Sequence, residues 1–209
     1  MGKPSRPTRR VSTTGQKFTI RIFSEGVSTE VQYLAAWHRR YRDRIILIHY
    51  PHDGGRGPMQ LVEAARAAKE SDIRAQRRGG GRAPDAYWCV FDVDEHPHIP
   101  KAEALAVAHG IRVAISNPCF ELWLLLHYVD HQKWDHRHDI QAAIKRVANI
   151  RKNLSDEDVE QLIEHYDIAR TRAVALERMH ERNATQDRNP GSNLYELVDL
   201  IKAPPKPGT

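Results

Sequence analysis

Along the first half of the chain the apolar positions switch repeatedly between a strand-like and a helix-like period. Phe18-Thr19-Ile20-Arg21-Ile22-Phe23 alternates and is rich in strand formers, so it predicts a strand that ends at Ser24-Glu25-Gly26. Ser28-Thr29-Glu30 then precedes Tyr33, Leu34 and Trp37, an N-cap followed by an apolar stripe at helical spacing, which predicts a helix to about Tyr41. Ile45-Ile46-Leu47-Ile48 is a continuous apolar run, the pattern of a strand buried on both faces. A Gly/Pro-rich loop over 51–58 leads to helical periodicity over 59–77, carried by Leu61, Val62, Ala65 and Ala68 and broken by Gly79-Gly80-Gly81. Tyr87-Trp88-Cys89-Val90-Phe91 predicts a third, buried strand that runs into Asp92-Val93-Asp94. A short alanine-rich helix over 101–108 ends at Gly110, and Ile111 to Ile115 predicts a fourth strand ending at Ser116-Asn117-Pro118.

From Phe120 the signal is helical: 120–128, about 138–150, about 156–182 and about 192–201. Ser155-Asp156-Glu157-Asp158 has the form of a helix start with acids in its first turn. Alternating strands and helices imply an α/β fold: a central, mostly parallel four-stranded sheet flanked by helices, with a helical C-terminal half. Residues 1–16, rich in Pro, Ser, Thr and Arg, read as a disordered basic tail, and 17–205 as a single domain with a helical extension from about 120.

Composition narrows the possibilities modestly. The 209 residues and 40% hydrophobic content suffice for one domain with a core. Cys89 and Cys119 sit in apolar runs and read as buried free thiols. No stretch approaches the roughly 18 apolar residues of a membrane span, and the polar, basic N-terminus has no signal-peptide core; a soluble cytoplasmic protein is the expectation. The net charge of +5 is carried by Lys3, Arg6, Arg9, Arg10 and Lys17, with no acid among residues 1–17, so the remainder sums to zero. The basic balance is therefore weak support for a nucleic-acid-binding body. A second basic cluster, with Arg74, Arg77, Arg78 and Arg82, could meet phosphate or could be a solvated helix face.

The candidate chemistry lies at the strand ends. Ligands of open parallel sheets bind outside the carboxyl ends of the strands. Glu25 follows the first strand, and Asp92 and Asp94 follow the third. Two residues apart in extended chain, Asp92 and Asp94 would point to one side and could share a cation. Mg²⁺ (or Mn²⁺) suits such a set, because crowded carboxylates repel one another until a cation relieves them. Glu30, five residues after Glu25, could support the same site. Each acid also has a plain reading: Glu25-Gly26 as a turn, Asp94 to Pro97 as the cap of the next helix.

Four blocks in order carry a resemblance: Ile22 to Glu30 with Tyr33; Phe91-Asp92-Val93-Asp94-Glu95-His96; Ser116 to Tyr128; and Asn189 to Val198. In these the sequence resembles the RloB-like family, also called the AbiLii-like abortive-infection family. The resemblance implies a Toprim-like core, as in topoisomerases, primases and OLD-type nucleases. It implies that Glu25 is a general acid/base or metal ligand, that Asp92 and Asp94 bind Mg²⁺, and that Glu30 matches the second acid of OLD-type enzymes. It also implies a place in anti-phage defence, often beside an ATPase partner.

Ser116, Asn117 and Glu121 would then sit beside the metal, and His127 reads as structural. His96, after the Asp pair, is a minor site candidate; His131, His136 and His138 read as exposed surface histidines. Arg188 to Ser192 precedes the last helix, where Ser192 reads as a plain cap. The expected function is Mg²⁺-dependent cleavage of DNA or RNA, possibly tRNA. The alternative is a non-catalytic module that senses a nucleotide or phage component and signals to an ATPase. Primase-like synthesis is a third, which no residue favours.

Overall fold

The computed structural model describes residues 16–26, 28–50, 57–93, 96, 98–151 and 153–206. Asp94, nearly all of the basic tail and most of the 51–58 loop lie outside the described residues. The elements run β1 (Phe18–Ser24), α1 (Thr29–Tyr41), β2 (Ile45–His49), α2 (Pro58–Arg77), β3 (Ala86–Asp92), α3 (Ile99–Ala108), β4 (Arg112–Asn117), α4 (Phe120–Leu126), α5 (Arg137–Ala148), α6 (Asp156–Glu164), α7 (Tyr166–Asn183), β5 (Gly191–Ser192) and α8 (Leu194–Lys202). The sheet order is β2-β1-β3-β4-β5, parallel from β1 to β4, with β5 antiparallel at the edge.

The pleat of β3 divides the apolar layers. Trp88 and Val90 pack on one face with α1 and the C-terminal helices; Tyr87, Cys89 and Phe91 pack on the other with α2 and α3. Side chains alternate along a strand, so Asp92 carries the parity of Trp88 and Val90 and is directed to the α1/α4 face. Both cysteines are buried free thiols, and burial pushes the Cys89 thiol up to about 12, so it is inert near neutrality.

The densest packing surrounds α4. Leu122, Trp123, Leu124, Leu125 and Leu126 have no exposed surface, and they belong to one core with Tyr33 and Trp37 of α1, Ile140 of α5, Tyr166 of α7 and Val198 of α8. A helix apolar all round must be wrapped on all sides, and the C-terminal helices do this. His127, just beyond α4, is buried with Nδ1 2.8 Å from the Trp123 carbonyl and Nε2 3.4 Å from the Tyr33 hydroxyl. Burial lowers its pKa to about 3, so it is a neutral core residue.

Four expectations are corrected. The apolar run of β2 is buried on one face only: β2 is the sheet's edge strand, and Ile46 and Ile48 are exposed. The segment read as one helix over 156–182 breaks at His165, so that Val159 and Leu162 of α6 and Tyr166, Ala169 and Ala173 of α7 each reach the core. Ser28 holds the N-cap position of α1, but its hydroxyl bonds Asn153 Oδ1 (2.6 Å) instead of capping. The fifth strand, β5, is additional: Ser192 lies in it, its Oγ 3.0 Å from Ser116 Oγ. Ser155 does cap α6, in a reciprocal box with Asp158. Among the described residues, no helix is long and apolar enough to cross a membrane.

Leu124→Ala is expected to cost roughly 2–5 kcal/mol, measured by denaturant unfolding. Ile46→Ala, on the open face of β2, should cost less than half of that. Equal losses would show that α4 is not the centre of the core.

Candidate functional site

The parallel register brings the carboxyl ends of β1, β3 and β4 side by side. Ser24 is level with Val90, and Asp92 with Ser116. One residue beyond β1, the Glu25 amide donates to the Val90 carbonyl (2.9 Å) and extends the pairing, so Glu25 stands next to the end of β3. The chain then turns through Gly26 into α1, whose first turn carries Glu30. Across the sheet end, the first turn of α4 carries Glu121.

These four carboxylates converge. Glu25, Glu30, Asp92 and Glu121 line one cleft of about 210 Å³, with Gly26, Thr29, Phe120 and Arg137. The electrostatic consequence is strong. Burial, with repulsion from Glu121 and Glu25, raises Glu30 to about 7, against the opposing pull of the Glu30 and Gly26 backbone amides. Asp92 keeps only an edge on the cleft. Burial raises its pKa well above the ordinary aspartate range, and Glu30 and Glu121 add to this against the Phe120 amide. Gly26 makes the crowding possible: a Cβ there would overlap the Glu30 carboxylate. Glu25 is held by His96, whose Nε2 is 3.1 Å from Glu25 Oε1. Glu25 Oε2 is buried without a hydrogen-bond partner among the described residues.

The donor set fits a hard divalent cation. It consists of carboxylate oxygens, one of them orphaned, and burial together with repulsion disfavours ionisation of two of the acids. Among the described residues, no group of three or more His, Cys, Asp or Glu side chains is placed so that it could hold a metal ion. Asp94, the other half of the Asp-x-Asp pair, lies outside them.

The remaining candidates are placed as follows. Glu121 lies in the cleft and accepts from Gln141 Nε2 (3.2 Å). Ser116 and Asn117 do not line it: Ser116 is turned to Ser192, and the Asn117 amide donates to the Asp187 carbonyl. His131 is half-buried, with Nε2 3.3 Å from Asp135 Oδ2, while His136 and His138 are exposed. Arg74, Arg77, Arg78 and Arg82 belong to the other end of the sheet. The α2 helix returns antiparallel to the strands, and Asp85, the partner of Arg82, meets Thr19 where β1 begins. A seven-residue strand puts them about 20 Å from the cleft. Arg137, which brings positive charge into the cleft at the start of α5, has no local sequence signal and is delivered by tertiary packing.

Residues 20–201 match the family model for RloB-like protein. No curated protein and no solved structure matches the chain.

The raised Glu30 pKa predicts a pH effect whose sign follows directly. Between pH 4.5 and about 7 the folded chain keeps a proton that the unfolded chain releases. Its stability contribution is therefore full below pH 4.5 and is lost as pH rises through 7, by roughly 3 kcal/mol. His127, with a lowered pKa, acts oppositely and is common to both proteins compared. Glu30→Gln in EDTA should match the parent near pH 4 and exceed its unfolding free energy at pH 8. A variant no more stable than the parent at pH 8 would contradict the assignment.

Proposed function

The chain belongs to the RloB-like family, and on that premise we propose that it is a Toprim-type, metal-dependent phosphodiesterase that cleaves DNA or RNA in anti-phage defence. The observation that carries this reading is the convergence of four carboxylates from β1, α1, β3 and α4 on one small cleft at the carboxyl edge of the sheet. Glu25 and Asp92, with Asp94, would hold Mg²⁺ or Mn²⁺. Bound there, the ion would supply Lewis-acid polarisation of phosphate and a more acidic water.

The chain's own residues divide the other tasks. Glu30, near neutrality in its proton affinity, can hold a proton at its carboxylate and give it to a leaving oxygen. His96 orients Glu25 through the 3.1 Å contact. Arg137 can bind a non-bridging phosphate oxygen that the surrounding acids would otherwise repel. The cleft admits a phosphate group and little more, so the rest of the substrate must lie outside it.

The competing reading is a sensor that binds its ligand in the same acidic cleft without turnover and signals to an ATPase partner. Cleavage assays separate the two. With Mg²⁺ or Mn²⁺ the protein should cut plasmid, single strands or tRNA, and Glu25→Gln and Asp92→Asn should each abolish this. Activity surviving in both variants would sink the phosphodiesterase reading.

Arg137→Ala should lower kcat/KM by roughly 10²-fold, the loss seen when a transition-state donor is removed, with Arg137→Lys recovering part of it. An unchanged kcat/KM would remove Arg137 from the mechanism.

A further inference from the structure

A second cavity, of about 650 Å³, lies beside the carboxylate cleft. It is bounded by α3, the end of β4, α7 and the 186–193 segment. His96 lines it and touches Glu25, which lines the cleft, so this one contact links the two cavities. Its volume is that of a small-molecule site; the cleft, at about 210 Å³, is not.

The groove has an aromatic platform. Trp134 is 48% exposed, whereas Trp37, Trp88 and Trp123 are 2% or less. The exposed indole is nonetheless fixed: its Nε1 donates to Asp187 Oδ2 (2.9 Å), and its ring meets His136 edge-on at 4.5 Å. Val93, Ile99, Pro100 and Ile115 supply apolar surface to the same groove.

The polar lining is biased towards acceptors. The amide nitrogens of Asn117, Asn189 and Asn193 donate to the carbonyls of Asp187, Asp135 and Val113. His180 Nε2 lies 2.8 Å from the Pro190 carbonyl, which makes it the protonated nitrogen. One donor of each of these side chains is thus engaged within the protein, while Arg188 and Gln186 are exposed. Left along the walls are the Glu103 carboxylate, the Asn117 side-chain oxygen and Asn189 Oδ1, the last without a partner among the described residues. These acceptors suit a flat ring that carries N–H donors.

We propose that this groove is a nucleobase subsite that takes a base bearing an exocyclic amino group, from the nucleotide next to the phosphate in the carboxylate cleft. It rests on the nucleic-acid reading above. Stacking on Trp134 supplies affinity, and the wall acceptors select amino-bearing bases over uracil, whose edge is dominated by carbonyls.

The test is a ligand-observed NMR titration of the full chain in EDTA with adenosine, cytidine, uridine and ribose 5-phosphate. Adenosine and cytidine should bind at least roughly fivefold more tightly than uridine, and ribose 5-phosphate should not bind. Stacking is worth about tenfold or more in Kd, so Trp134→Ala should weaken adenosine by that factor while Trp134→Phe largely retains it. Glu103→Gln should narrow the preference over uridine. Equal binding of uridine, binding of ribose 5-phosphate, or an unaffected Trp134→Ala would overturn the proposal, as would saturable binding of agmatine in place of nucleosides. The titration needs neither metal nor turnover. Base binding without cleavage would defeat the phosphodiesterase reading alone, and cleavage without base selectivity would defeat the subsite alone.

Discussion

A helix with no polar face cannot end at a surface, and α4 is such a helix. Its five consecutive residues Leu122 to Leu126 are fully enclosed, each by side chains from several elements. Burying each leucine contributes roughly 1.5–3 kcal/mol, so the position of α4 is among the most strongly enforced in the molecule. That enforcement reaches the cleft. Glu121 lies in the first turn of this helix, and the Phe120 amide beside it meets Asp92. A carboxylate cluster that repels itself needs firm supports, and a deeply buried helix provides one of them.

The cluster is otherwise an electrostatic burden. Burial and mutual repulsion raise the proton affinity of Glu30 and Asp92. The helix starts of α1 and α4 bring backbone amides to the same place, which offsets part of the repulsion. Arg137 adds a full charge on the opposite wall. The balance shifts with pH and with any cation that enters.

Much of this was legible in the chain, for local reasons. Phe18 to Phe23 and Tyr87 to Phe91 announce their strands through alternation or through dense β-branched and aromatic content, and the acids that follow are fixed to the sheet edge by chain order alone. Glu25, Glu30, Asp92 and Glu121 therefore came together as their positions implied. What escaped depends on tertiary contact. The two residues of β5 are too few for any period and are a strand only because β4 lies beside them. The break at His165 interrupts a continuous helical pattern because α6 and α7 meet different neighbours. The Ile45-to-Ile48 run looks doubly buried, yet nothing among the described residues covers Ile46 and Ile48 at the sheet's edge. Sequence adjacency also misleads about Arg74 to Arg82, which lie one strand's length from the acids because α2 reverses the chain direction.

The pairing of β4 with β5, and the packing of α8 against the same core as α1, also set a timetable. The supports of α4 include Tyr166 and Leu176 of α7. On the ribosome, Leu126 emerges 50 residues before Leu176, an interval of roughly 2.5–10 s at ordinary elongation rates. For that time the most apolar helix of the chain has no complete enclosure, and the carboxylates it helps to position have no stable frame. The nascent chain thus carries α4 uncovered during synthesis, and the acidic cleft assembles only after that interval.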